Sequence, residues 1–206
     1  GAKGDLFDGV LSFDASLYRS DWQDIQIQII QSGRTFFTNG SQARAQGIEL
    51  SGELEPTRGF TLSGWVALGT AELTEPLPPT ATVFGADGDR LPLGSEVSAN
   101  LSIDKSFLIR SGVEASVGAG VRYIGERFGS FRGLAAGVPL PRQTLPDYTQ
   151  IDLQAAIETN TWTNNFFVNN VGDKRGIMQG GLGQTDATSF YYIRPRTFGV
   201  SVSRRF

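Results

Sequence analysis

Apolar and polar side chains alternate one for one along most of this chain. Val97, Ala99, Leu101 and Ile103 alternate with Ser98, Asn100, Ser102 and Asp104, and Val113, Ala115, Val117, Ala119, Val121 and Tyr123 with Glu114, Ser116, Gly118, Gly120 and Arg122. Leu11, Phe13, Ala15 and Leu17 repeat the pattern against Ser12, Asp14 and Ser16, as do Ile48, Leu50 and Leu54 against Glu49, Ser51 and Glu53. Leu62, Val66 and Leu68 follow, then Ile151, Leu153, Ala155 and Ile157 against Asp152, Gln154 and Glu158. The chain closes on Phe198, Val200 and Val202 against Gly199, Ser201 and Ser203, with Phe206 last. A period of two marks a strand whose two faces meet different surroundings, and a slip of one residue would exchange those faces. The pattern predicts about eight complete strands, at roughly 10–30, 41–55, 60–71, 95–107, 111–124, 148–158, 163–172 and 191–206, with residues 1–4 as the tail of another. The expected fold class is all-β and antiparallel.

The spacing of these strands adds an orientation. Short connections are expected at 55–59, 108–111 and 159–163, and long ones at 72–94, 125–147 and 173–190, polar and rich in Gly, Pro and Asp. Hairpin sheets in water have short loops at both ends, whereas transmembrane barrels of the outer-membrane type put tight turns at one rim and long loops at the other. Phe7, Phe60, Phe107, Trp162 and Phe206 fall at the short-turn ends, and Tyr123, Tyr148, Tyr191 and Tyr192 toward the long-loop ends. These sets are expected as two interfacial girdles.

Composition removes several kinds of chemistry. There is no His and no Cys among 206 residues, which excludes disulfides, thiolates and any imidazole base. No window approaches the ~20 apolar residues of a membrane-spanning helix. A formal net charge of −3 gives no basic surface suited to nucleic acid. Neither a catalytic set nor a cofactor or metal site is expected. Glu49, Glu53, Asp104, Glu114, Asp152 and Glu158 share the polar faces, where they line a wet interior rather than do acid-base work. Asp87-Gly-Asp89 lacks the remaining spacing of a calcium loop and reads as a Gly turn. Gly47, inside a strand, marks a bulge or a close backbone approach; Gly118 and Gly120 mark the same or simple curvature.

Several segments together resemble a known family. Tyr18-x-x-x-Trp22-Gln-Asp24-Ile25-Gln26, Asn39-Gly40, Ala43-Arg44-x-Gln46-Gly47-Ile48-Glu49-Leu50, Tyr148-x-x-Ile151-Asp152-Leu153, Phe167-Val168-Asn169-Asn170-Val171-Gly172-Asp173 and Pro195-Arg196-Thr197-Phe198-Gly199-Val200 occur in order. They are similar to the barrels of TonB-dependent outer-membrane receptors, with departures at Gly172, Gly176-Ile177 and Arg204. The resemblance implies that residues 1–206 are the C-terminal part of a 22-stranded barrel whose plug domain and TonB-binding segment lie outside this chain. It also implies multi-pass residence in the outer membrane among lipopolysaccharide, and active uptake of a scarce small nutrient (ferric siderophore, cobalamin or glycan) driven through TonB. Arg90, Arg127, Arg132 and Arg142 in the long loops are candidate contacts for an anionic ligand or for lipopolysaccharide phosphates. Phe198, Val200, Val202 and Phe206 resemble the signal read by the barrel-assembly machinery. A self-contained eight-stranded barrel acting as channel or adhesin is the alternative, and an outer-membrane enzyme a third reading.

Overall fold

The computed structural model describes residues 1–182 and 188–205. Nine strands form one sheet in chain order: β1 (Ala2–Leu6), β2 (Leu11–Gln23), β3 (Gln42–Thr57), β4 (Phe60–Leu73), β5 (Val97–Arg110), β6 (Val113–Ile124), β7 (Tyr148–Thr159), β8 (Trp162–Asn169) and β9 (Thr197–Arg204). Each pairs antiparallel with the next, and β1 and β9 stand at the two edges. The strands read from alternation are all present, and β1 is the tail foreseen at the N-terminus.

Register settles which residues share a face, because residues directly opposite one another in an antiparallel pair point the same way. One continuous row runs Leu11, Leu54, Leu62, Ile103, Ala119, Leu153, Val168 and Phe198. A neighbouring row runs Ala15, Leu50, Val66, Ala99, Tyr123 and Thr149. The opposite face carries Glu53, Ser63 and Ser102 in register, then Asp104, Gly118 and Gln154. Large apolar side chains of the first face stay exposed: Leu101 at 54%, Leu153 at 44% and Phe198 at 80%. No large apolar side chain on this face of the wall is fully buried within the chain.

Short turns close one rim. Arg58-Gly59 joins β3 to β4 and Ser111-Gly112 joins β5 to β6, with Gly59 at φ +69 and Gly112 at φ +75, the left-handed backbone that such tight hairpins demand. Bulges between Leu54 and Thr57 and between Leu108 and Arg110 sit beside these turns. At Asn160-Thr161 the Thr159 hydroxyl accepts from the Trp162 N–H at 2.9 Å, and at Phe7–Val10 the Val10 N–H reaches the Phe7 carbonyl.

The opposite rim differs from expectation. Four long connections, 24–41, 74–96, 125–147 and 170–196, lie there, one more than predicted. The stretch expected as a single strand over 10–30 breaks at Asp24, whose φ is +53; Gln26–Gln31 then pairs with Arg34–Asn39 as a separate hairpin. Likewise the stretch expected over 191–206 divides: Phe190–Tyr192 pairs with Ile177–Gly180, and only Thr197–Arg204 joins the wall. Nor are the loops simply polar. Ile25, Ile27, Ala43, Leu73, Leu77 and Ala81 form a buried core above the wall, with Ile29, Val83, Leu91 and Phe131 packed against it. Backbone bonds from Ile30 N to Thr80 O at 3.1 Å and from Leu93 N to Phe128 O at 2.7 Å join three of the four loops.

Candidate functional site

The long-loop cap holds all four arginines singled out from the sequence. Three of them come together. Arg90 bonds the Gly94 and Glu126 carbonyls and pairs with Glu96 at 3.3 Å. Arg142 donates to the carbonyls of Ser130 and Arg90, and both guanidinium groups pack over the Phe128 ring, Arg90 at 5.3 Å and Arg142 at 4.4 Å from its centre. Arg132 bonds Asp89 at 3.2 Å and stacks on Phe84. Burial, followed by the charges of Arg132 and Arg90, pulls the Arg142 pKa below its ordinary value, while Asp89 opposes the shift. Arg127 lies apart, buried, donating to the Ile177 carbonyl at 2.7 Å beside the Tyr148 ring.

These arginines brace the cap: each ties its own loop to a neighbouring segment, through carbonyls for Arg90, Arg127 and Arg142 and through the Asp89 carboxylate for Arg132. Asp89 is engaged in the same way, accepting from the Ala86 N–H at 2.8 Å and pairing with Arg132, so Asp87-Gly-Asp89 is the turn its glycine suggested. Tyr148 corrects an expectation. It is 8% exposed and packs under Arg127 and against Gly176, so it belongs to the cap and to no girdle. Its even position, in phase with Gln150 and Asp152, was the available signal.

A second structure in the cap escaped the sequence. Asn170, 1% exposed with φ +53, sits where β8 enters the last loop. Its Nδ2 donates to the Lys174 and Arg194 carbonyls, both at 2.9 Å, its Oδ1 accepts from the Lys174 N–H at 2.8 Å, and its own N–H reaches the Asp152 carboxylate at 2.7 Å. One side chain thereby ties both feet of the loop. Asp173 supports the clamp by accepting from the Arg196 N–H at 2.9 Å; that bond, with Arg175 and Arg196 nearby, holds its carboxyl below the usual range.

The polar face of the wall carries the expected carboxylates. A Cβ on Gly118 would strike the Asp104 carboxylate; the missing side chain lets Gln154 reach across β6 to Asp104 at 2.9 Å. Gly47 contains no bulge. A Cβ there would lie 2.5 Å from the Leu68 carbonyl and 2.9 Å from the Tyr18 hydroxyl, and Gly69 opposite it is crowded by the same hydroxyl, so Tyr18 lies over a glycine pair. Nothing stands within 4 Å of the corresponding position at Gly120. A concavity of about 700 Å³ opens on this face beside Lys3, Asp5, Asp14, Glu53, Ser63 and Trp65. Among the described residues no three metal-ligating side chains converge.

On the apolar face, Phe198, Val200 and Val202 of β9 are exposed and oppose Val168, Phe166 and Asn164. Phe206 lies outside the described residues.

Comparison with known proteins agrees with this geometry. Residues 1–171 match the sequence model of the TonB dependent receptor-like β-barrel. Among solved structures, the chain is similar to the ferric-catecholate import receptor Fiu of E. coli K12, at 21% identity and TM-score 0.69, covering 97% of this chain and 26% of that one. It is similar to the pyoverdine outer membrane receptor FpvA of Pseudomonas aeruginosa, at 19% identity and TM-score 0.73, covering 99% and 28%. The ferric yersiniabactin uptake receptor FyuA of Yersinia pestis gives 18% identity and TM-score 0.75, covering 99% and 29%. The chain thus spans little more than a quarter of each relative. No curated protein sequence matches it.

Proposed function

Because this chain belongs to the TonB-dependent receptor-like β-barrel family, we propose that it forms the C-terminal wall and loop cap of an outer-membrane importer for a ferric siderophore. The observation that carries this reading is the wall itself: a mid-strand band of exposed apolar side chains on one face backed by a polar face, with tight turns at one rim and long loops at the other. Such a sheet needs lipid on one side and water on the other. With β1 and β9 at separate edges, it also needs further strands, since unpaired backbone groups in lipid cost several kcal/mol each. This disfavours the self-contained eight-stranded barrel. Receptors for ferric chelates among the structural relatives favour iron over cobalamin or a glycan as cargo.

The long loops face outward among lipopolysaccharide and meet the nutrient, and TonB acts through a plug held against the polar face. Arg90, Arg127, Arg132 and Arg142 serve the nutrient indirectly, by fixing the loops that present it. Phe206, with Phe198, Val200 and Val202, serves the barrel-assembly machinery; its deletion from the full-length receptor should lower the amount inserted and leave ligand affinity unchanged. The reading assigns no catalytic residue. Uptake of labelled ferric chelates, cobalamin and oligosaccharides by a strain lacking the full gene, with and without TonB, tests it. Loss of one ferric chelate on deletion of either gene supports the reading, and unchanged uptake of every probe overturns it.

A further inference from the structure

Charge is sorted by face at the short-turn rim. Glu53, Asp104, Glu114 and Glu158 occupy the polar face there, Glu114 directly opposite Glu158. Lys105, Arg110 and Arg204 stand on the apolar face, opposite Val117, Val113 and Trp162 respectively. Arg205, one residue on and of the other parity, instead lies 3.8 Å from Glu158. Arg58 is exposed in the turn between β3 and β4, with its carbonyl beside the Lys105 ammonium.

The outward cations are arranged for an interface. Lys105 is half-buried among the apolar row, and its ammonium bends to the Arg58 carbonyl at 3.1 Å, the snorkelling expected of a long cationic side chain at the edge of an apolar layer. That contact uses one of three donors. The Arg204 guanidinium stacks 5.4 Å over the Trp162 ring, a pairing suited to the boundary between hydrocarbon and water. Phe107, on the same face two residues nearer the turn than Lys105, is 47% exposed and sets an aromatic ring at the rim.

Resting on the membrane reading above, we infer that Arg58, Lys105, Arg110 and Arg204 form a belt that binds the headgroup phosphates of an anionic phospholipid in the leaflet at the short-turn rim. The acyl chains lie along the apolar face. Charge complementarity supports this occupant: at this rim Lys105, Arg110 and Arg204 stand on the lipid side of the sheet, and Glu53, Asp104, Glu114 and Glu158 on its other side. A cation near an anionic membrane surface contributes about fivefold in affinity, so the four together give a preference large enough to measure.

The test uses the full-length receptor reconstituted in vesicles of equal phosphatidylglycerol and phosphatidylcholine, extracted gently, with retained lipid counted by native mass spectrometry. The wild type should retain phosphatidylglycerol over phosphatidylcholine, and R58Q/K105Q/R110Q/R204Q should lose the preference. R122Q, on the polar face, should keep it. An unchanged preference in the fourfold variant overturns the inference, as does displacement of the retained lipid by inorganic phosphate alone, which would mark a simple phosphate site. Should the fourfold variant fail to insert, K105Q and R110Q singly decide: a lowered ratio supports the belt and an unchanged one overturns it. A wild type that inserts with no preference removes the belt alone, whereas a wild type that does not insert removes the membrane reading beneath it.

Discussion

Replacing Leu153 by Arg should separate the two faces of the wall most sharply. Leu153 lies mid-strand in β7, between Ala119 and Val168 in register, with Ile151 and Ala155 next along the same face. It is a better midplane probe than Val117, which stands level with Lys105 toward the short-turn rim. A guanidinium at the bilayer centre costs roughly 2–4 kcal/mol. Leu153 is 44% exposed, so losing its lipid contact adds about 1 kcal/mol, and the whole effect should be about 3–5 kcal/mol. Gln154→Arg is the control. The neighbouring side chain faces the wet side and already reaches the Asp104 carboxylate, so an Arg there should cost less than about 1 kcal/mol. Equilibrium folding of the full-length receptor into phospholipid vesicles across a denaturant series would give both values. Equal losses at the two positions would refute the assignment of faces.

Single cysteines at Asp87, Val138 and Tyr191, all exposed in the cap, should react with a membrane-impermeant thiol reagent on intact cells, and labelling only after the membrane is breached would invert the topology. Asn170→Ala removes three side-chain hydrogen bonds at a 1% exposed site; with about 1–3 kcal/mol for each buried partner left unmet, limited proteolysis should cut the 170–196 loop much faster while the wall stays intact. Gly47→Ala should destabilise by about 1–3 kcal/mol through its clash with the Leu68 carbonyl, whereas Gly120→Ala, with open space at its Cβ, should be neutral within about 0.5 kcal/mol; denaturant midpoints of the two variants compare them directly.

The wall was legible because lipid and water impose a period of two on every strand that separates them. Val113 to Tyr123 needs no tertiary information to be read. The cap was not, and its residues show why. Ile25, Ile27 and Ile29 resume the odd phase of Leu11 to Leu17 after the polar Arg19, Asp21 and Gln23, so the pattern carries on past Asp24, where a left-handed backbone angle ends the strand. Leu73, Leu77 and Leu91 reach one core from irregular spacing among Gly, Pro and Asp, which leaves no periodic trace. Arg90 and Arg142 read as free loop charges because, apart from the Glu96 carboxylate beside Arg90, their partners are carbonyls and aromatic rings, and backbone acceptors are the same in every sequence. Asn170 fell inside the family-like stretch that begins at Phe167, but its clamp joins residues on both sides of a loop.

The claim on which the rest depends is that these strands separate lipid from water, and a spin-label scan of β7 in the full-length receptor measures it directly. These 206 residues contain no Cys, so once any Cys elsewhere in the receptor is replaced a label can be placed at each position of Tyr148–Thr159 in turn and its collision rate with oxygen, which concentrates in lipid, compared with that of a water-soluble nickel chelate. Oxygen accessibility should peak at Ile151, Leu153, Ala155 and Ile157 and fall at Asp152, Gln154, Ala156 and Glu158. A profile without that two-residue period, or with its maxima at the even positions, would contradict the account.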